Sequence, residues 1–281
     1  MSTRIQALYL YPIKGCRGFA VDSATLAPTG LEVDGIGDRE WVVVDDENEF
    51  LSQRELPRMA LIETRLTASS LRIKAPGMLA LDVPLASEGD VVQVRVWNDT
   101  VSAVTQDPLI DTWLGNFLGR PARLMRFDPE HRRLAAAKFT GKHEAPYKFA
   151  DAFPLLVATQ ASLDDLNARL ARRGHPAVMM QRFRPNIVLD GIEAFEEDFV
   201  DELRVGGATL RVVKPCARCT VPGVDPSTGL HDPTVSDVLA EYRRSTNEQL
   251  PGVMFGANAI VIGEAGVALR TGMDVDVALK V

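Results

Sequence analysis

The sequence predicts a mainly β protein with helical additions, an α+β class with barrel-like sheets, and three observations carry that reading. Short runs of β-branched and aromatic residues recur along the chain between glycine, asparagine and aspartate turns. Val92, Val94 and Val96 alternate with Gln93, Arg95 and Trp97, the period of two that buries one face of a strand. Helical spacing is confined to a few short stretches. Many short strands with few helices favour a barrel-like arrangement over an alternating α/β sheet.

Taken in order, residues 4–13 read as a strand. Residues 41–44 run through polar 45–49 into Phe50-Leu51 as one hairpin, and residues 92–96 turn at Asn98-Asp99 into 100–105 as a second hairpin with one buried face. Residues 108–118 form a short helix closed by Gly119, and the stretch 120–127 divides the chain into a first unit, 1–125, and a second, 126–281. Residues 127–148, with His131, Arg132, Arg133, Lys138, Lys142 and His143, read as a solvated linker or flap. A strand follows at 154–158, then a helix opened by Ser162, with Leu163, Leu166 and Leu170 on one face, Asp165 in a capping box, and Gly174 and Pro176 at its end. Residues 187–189 make a short strand. Gly206-Gly207 joins 203–205 to 208–213 in a tight hairpin that leads straight into a cysteine pair. Asp232 caps a last helix with Pro233 at its first position and Val235, Val238, Leu239 and Tyr242 at helical spacing. Strands at 258–262, 267–270 and 275–279 close the chain.

A chain of 281 residues, 46% hydrophobic, buries one large core or two ordinary ones without disulfides. Three cysteines, an odd number, suit a reducing compartment, and the expected location is the cytoplasm. The N-terminus Met1-Ser2-Thr3-Arg4-Ile5-Gln6 has no secretory pattern, and no apolar run reaches the ~20 residues of a spanning helix. A net charge of -7 disfavours nucleic acid or acidic lipid as a general partner and leaves room for a local basic pocket.

Lys214-Pro215-Cys216-Ala217-Arg218-Cys219 carries the chemistry. A zinc site would be short of ligands, and a thioredoxin-like dithiol would need a helix where the loop 220–229 follows. A single thiolate, favoured by Lys214 and Arg218 and bound to a soft metal or acting as a nucleophile, is the third reading; two inert core thiols is the fourth. The loop Val224-Asp225-Pro226-Ser227-Thr228-Gly229 has the turn chemistry of one defined conformation. Positive charge beside turn residues recurs at Tyr11-Pro12-Ile13-Lys14-Gly15-Cys16-Arg17-Gly18, at Gly37-Asp38-Arg39-Glu40-Trp41 and at Arg182-Phe183-Arg184-Pro185-Asn186, the means to hold a phosphate. No phosphate-binding P-loop, dinucleotide turn or nucleophile elbow is present; the four histidines show no metal spacing, and Glu196-Glu197-Asp198 reads as a solvated face.

These segments, with Phe255-Gly256-Ala257-Asn258, occur in an order that resembles the MOSC family, specifically members with an added N-terminal β-rich domain, and the resemblance covers nearly the whole chain. It implies a MOSC-type β-barrel domain, a molybdenum cofactor (molybdenum–molybdopterin), and, in the branch of the mitochondrial amidoxime-reducing component and its bacterial counterparts, reduction of amidoximes, hydroxylamines and N-hydroxylated nucleobases to amines. The alternative it leaves open is a non-catalytic carrier of the cofactor or of sulfur. By resemblance Cys219 is the metal ligand and a catalytic residue. Lys14, Gly15, Arg39, Arg184, Asn186, Ala217 and Arg218 hold the pterin and its phosphate, Asp151 is a catalytic acidic residue near the metal, and Thr159 lies in a segment lining the pocket. Asp151 and Asp225 are the nearest candidates for a proton donor. Gly15 and Ala217 stand where relatives often carry serine, which removes a hydroxyl contact and leaves backbone N–H groups. The resemblance also brings the family expectation of pyridoxal phosphate binding. With no iron–sulfur cysteine set before Val281, electrons are expected from a separate ferredoxin- or cytochrome b5-like protein with its reductase.

Overall fold

A computed structural model describes residues 2–86 and 89–280. Among these residues the fold is mainly β with four α-helices, Pro108–Leu118, Ala137–Thr140, Gln160–Ala171 and Thr234–Tyr242. The largest sheet has the strand order Asp276–Leu279, Val200–Val205, Ala208–Arg218, Val253–Val261, Leu155–Thr159, Ile187–Asp190, Arg4–Leu10 and Phe19–Val21. Its predicted hairpin closes at Gly206-Gly207, both at positive φ, with Val205 opposite Ala208 and Leu203 opposite Leu210. That register turns Leu203, Val205, Ala208, Leu210 and Val212 into one core.

Smaller sheets complete the architecture. Val91–Val96, Asp99–Thr105, Arg123–Phe127 and Trp41–Val44 form one, flanked by the helix Pro108–Leu118, which Asp107 caps at its start and Gly119 ends at φ 75°. Ile110, Trp113, Leu114 and Phe117 are its buried face. Another runs Val267–Arg270, Ser23–Ala27, Gly30–Val33 and Ile36–Gly37, and a third Glu63–Leu66, Ser70–Lys74 and Leu81–Pro84. The two ends of the chain thus share sheets: Arg4–Leu10 pairs with Ile187–Asp190, and Val267–Arg270 with Ser23–Ala27. Among the described residues no helix is long and apolar enough to cross a membrane.

Three local readings change. The second hairpin turns at Trp97-Asn98, one residue earlier than expected, because Val96 opposite Asp99 is the register that keeps Val94 and Val96 buried. Trp97 therefore takes a left-handed φ of 58°. Residues 127–148 are no solvated linker: Arg133 is buried, donates to Asp99 Oδ2 at 2.6 and 2.9 Å and to the carbonyls of Lys148 and Ala150 at 3.0 and 2.9 Å, and so ties this segment to the Trp97 hairpin. The helix expected to open at Ser162 begins at Gln160 with Thr159 as its cap, accepting from the Ser162 N–H at 3.0 Å, while Asp165 pairs with Arg169 instead of closing a capping box.

That cap also overturns the solvated reading of Glu196-Glu197-Asp198. Glu197 is 1% exposed and accepts from Ser162 Oγ at 2.9 Å and Thr159 Oγ1 at 3.2 Å, and Asp198 pairs with Arg243. Burial, opposed by those hydroxyl bonds, pushes the Glu197 carboxyl from 4.5 up to about 7. The folded protein then holds a proton that the unfolded chain has released, so this contribution to stability is present below about pH 4.5 and is lost as pH rises through about 7. At ~1.4 kcal/mol per pH unit it amounts to at most about 3 kcal/mol. Urea midpoints between pH 5 and 8 should fall more steeply in wild type than in Glu197→Gln; parallel slopes would contradict the assignment.

Candidate functional site

Where Ala208–Arg218 pairs with Val253–Val261 the register breaks twice, between Val212 and Lys214 and between Pro215 and Ala217. Pro215 has no N–H for the ladder, and such bulges re-aim side chains. Lys214, Cys216, Ala217, Arg218 and Cys219 consequently line one cavity of about 470 Å³. Lys14, Gly15 and Arg39, the rim Phe50 to Arg54, Trp97, Asp151 and the turn bearing Arg184 and Asn186 form much of the remaining wall.

The three basic turns meet around one buried ring. Tyr11 lies 4.4 Å from the guanidinium of Arg39 and 4.4 Å from that of Arg184. Both arginines have left-handed backbones, φ 49° and 57°. The Asp38 carboxylate takes the Tyr11 N–H at 2.9 Å and pairs with Arg39, which in turn donates to the Arg184 carbonyl at 2.9 Å. Arg184 Nη1 donates to the Cys16 carbonyl at 2.6 Å, yet its Nη2 is buried without a partner among the described residues, as is Nε of Arg218. Burial and then the neighbouring Arg39 charge draw Arg184 down to about 10. Gly15 sits at φ 82°, and a Cβ there would lie 3.0 Å from Met59 Cε, so glycine serves the turn itself.

All three cysteines are free: Cys16 is buried and held near 12 by desolvation, Cys216 is half-buried, and Cys219 is exposed to the cleft. Arg218 spans the pair, donating to Cys216 Sγ at 3.2 Å and to the Phe183 carbonyl at 2.8 Å. Among the described residues no group of three or more His, Cys, Asp or Glu could hold a metal ion, so nothing beside the thiols completes a zinc set. Across the cleft, Lys14 Nζ donates to the Phe149 carbonyl at 2.9 Å and to Asp151 Oδ1, which also accepts from the indole of Trp97 at 3.1 Å. Desolvation would raise the Asp151 carboxyl, but Lys14, by charge and hydrogen bond, with Trp97 and Arg39, holds it well below the usual carboxylate range. Lys14 is drawn below its ordinary value by burial against the pull of Asp151.

Comparison with known proteins decides the family. Residues 2–121 match the MOSC N-terminal beta barrel domain and residues 144–276 the MOSC domain. Mitochondrial amidoxime reducing component 2 of Homo sapiens is 33% identical over 85% of this chain and 72% of its own length, and that of Bos taurus 32% over 81% and 68%. The chain belongs to the MOSC family. Molybdenum cofactor sulfurase of Homo sapiens is 34% identical over 85% of this chain, a region that makes up 28% of the sulfurase.

The MOSC cleft gathers nine of the ten residues that the sequence singled out: Lys14, Gly15, Arg39, Asp151, Arg184, Asn186, Ala217, Arg218 and Cys219. Thr159 is not among them; it is fully buried and spent on capping its helix and on Glu197. Asp225 is also elsewhere, its carboxylate taken by Arg182 at 2.9 Å and by the Ser227 N–H and hydroxyl in the expected turn. Asn186 reaches the cleft but uses its amide to join strands, accepting from the Leu156 N–H at 3.0 Å and donating to the Tyr9 carbonyl at 3.5 Å. Cys216, to which the resemblance assigned no role, also lines the cleft. Sequence reasoning missed Phe50, Gln53, Arg54 and Trp97; a tryptophan beside a turn was the available signal.

The Lys14–Asp151 pair is testable by carbon-13 titration of aspartate carboxyls. Asp151 should remain ionised near pH 3, below the ordinary aspartate value of about 3.9, and Lys14→Met should move its titration up toward that value, because the charge and hydrogen bond that hold it down most are removed while Trp97 and Arg39 remain. The pair's stabilisation is present above that value and lost as pH falls. An unshifted carboxyl in the variant would contradict the pairing.

Proposed function

We propose that the cleft holds a molybdenum cofactor and that the chain reduces N-hydroxylated compounds, namely amidoximes, hydroxylamines or N-hydroxylated nucleobases, to amines. One observation carries the reading: an exposed thiol, Cys219, lines the same cavity as Arg184 and Arg218, each of which keeps one buried guanidinium nitrogen without a partner among the described residues. Soft sulfur suits molybdenum, and unpaired guanidinium donors suit a pterin phosphate. The residues fit the group. The names of the amidoxime-reducing relatives support the reaction class.

In this reading Arg39, Arg184 and Arg218, with Lys14 and the backbone at Gly15 and Ala217, hold the pterin and its phosphate. Asn186 shapes the floor, and Cys219 is the protein ligand. When bound, the group would supply two-electron oxygen-transfer chemistry. Reducing an N–OH group to N–H and water consumes two electrons and two protons. Asp151 is poorly suited to deliver the protons, because its own is already surrendered; the N–H donor of the pair is Lys14 Nζ, and Asp151 fixes that amine in place. Pyridoxal phosphate is outside this reading. A separate ferredoxin- or cytochrome b5-like protein supplies electrons, and a reducing compartment, the cytoplasm, suits an exposed working thiol. The likeness to molybdenum cofactor sulfurase favours one second reading, a non-catalytic carrier of cofactor or sulfur on Cys219.

Benzamidoxime turnover by cofactor-loaded protein with a reduced artificial donor separates the two. The reductase reading expects turnover that Cys219→Ser lowers by at least about 100-fold, since even residues supporting metal ligands are worth 10- to 100-fold. Full molybdenum loading without turnover, together with transfer of cofactor to an apo-enzyme, would establish the carrier instead.

A further inference from the structure

Opposite the cysteine wall, the cleft has a second chemical character. Trp97 stands at the tip of its hairpin with its ring 42% exposed, in a left-handed conformation that a bulky side chain rarely adopts. Such strain persists where surrounding contacts over-determine it and marks functional positions. Here the indole N–H is held by Asp151 at 3.1 Å, the ring meets Phe50 edge-on at 4.5 Å, and Asp99, two residues on, is anchored by buried Arg133. The ledge is fixed in place, and Phe153, Leu155 and Leu156 add apolar wall to the same cavity.

The guanidinium of Arg54 lies over the Trp97 ring, 4.2 Å from its centroid. Arg54 is exposed and also lines the cleft. A flat cationic group resting on a flat ring shows that the indole face is open to planar partners, and an exposed contact of this kind is weak enough for a ligand to displace.

We propose that Trp97 is a specificity-determining residue whose ring stacks against the planar aromatic part of the substrate, Arg54 swinging aside, so that the site selects aromatic over aliphatic N-hydroxy compounds. The proposal rests on the reductase reading for its substrate class. Stacking of flat groups is sequence- and substituent-tolerant, because every aromatic ring presents a π-face. The ledge therefore sorts substrates by planarity, while the N-hydroxy group meets the opposite wall.

Two readouts test this, and one of them needs no turnover. Of the three tryptophans, Trp41 is 0% and Trp113 7% exposed, so accessible fluorescence quenching reports Trp97. In loaded protein without an electron donor, benzamidoxime should quench saturably, acetamidoxime should quench little, and Trp97→Leu should abolish the difference. With a donor present, the ratio of kcat/KM for benzamidoxime over acetamidoxime should fall roughly ten-fold in Trp97→Leu, the scale of one stacked ring. Trp97→Phe keeps a ring but loses the N–H to Asp151, and should retain most of the ratio. Equal quenching by the two compounds, or Phe and Leu variants losing the ratio together, would overturn the proposal and leave Trp97 as a holder of Asp151. Saturable quenching by benzamidoxime without turnover would uphold the stacking site and overturn the reductase reading; neither quenching nor turnover would overturn both.

Discussion

Two guanidinium groups held against one buried phenol ring are the constraint on which the rest of this structure depends. Arg39 and Arg184 come from opposite halves of the sequence, and both stack on Tyr11 at 4.4 Å with left-handed backbones. Like charges in that proximity repel, and in a low-dielectric interior the repulsion is strong. Asp38 answers Arg39 directly, but among the described residues Arg184 has only carbonyl and ring contacts and keeps one nitrogen without a partner. The cluster is short of negative charge, and an anion in the adjoining cleft is what would complete it.

The remaining geometry serves to bring chemistry to that cluster. Pairing of Arg4–Leu10 with Ile187–Asp190 brings the turn carrying Lys14 and Gly15 to the same cavity as the end of Ala208–Arg218, which the bulges around Lys214 and Pro215 turn into the cleft. Arg133 fastens the Trp97 hairpin to the segment that precedes Asp151, and Lys14 fastens Asp151 in turn. Both halves therefore contribute walls, and neither contains the cavity alone. The same contacts set the charge of the pair: Lys14 donates to Asp151 and helps to hold its carboxyl ionised.

Features written in local chemistry were legible in the sequence. Alternation of Val92, Val94 and Val96 specified a half-buried strand, Gly206-Gly207 a tight hairpin, and Gly119 the end of a helix. Each depends on neighbours a few residues away. The cysteine pair and the basic turns were visible as segments, but only the fold brings them to one cavity. What escaped depends on distant partners. Arg133 looked solvated because its acceptors lie on another hairpin and at the far end of its own segment, and Glu197 looked like part of a charged surface because Ser162 and Thr159 reach it from another element. Thr159 was placed in the pocket wall by resemblance, whereas its hydroxyl caps a helix. Trp97 entered the cleft through a one-residue change of turn, which burial of Val94 and Val96 decides.

The central claim, that an under-neutralised guanidinium cluster and a single thiol together hold an anionic metal cofactor, is tested most directly by elemental analysis of molybdenum and phosphorus per chain in protein purified with the cofactor supplied. The account predicts the two elements in equal amounts in wild type, loss of both in Arg184→Gln, and retained phosphorus with depleted molybdenum in Cys219→Ser. Zinc in place of molybdenum, or undiminished phosphorus in Arg184→Gln, would contradict it.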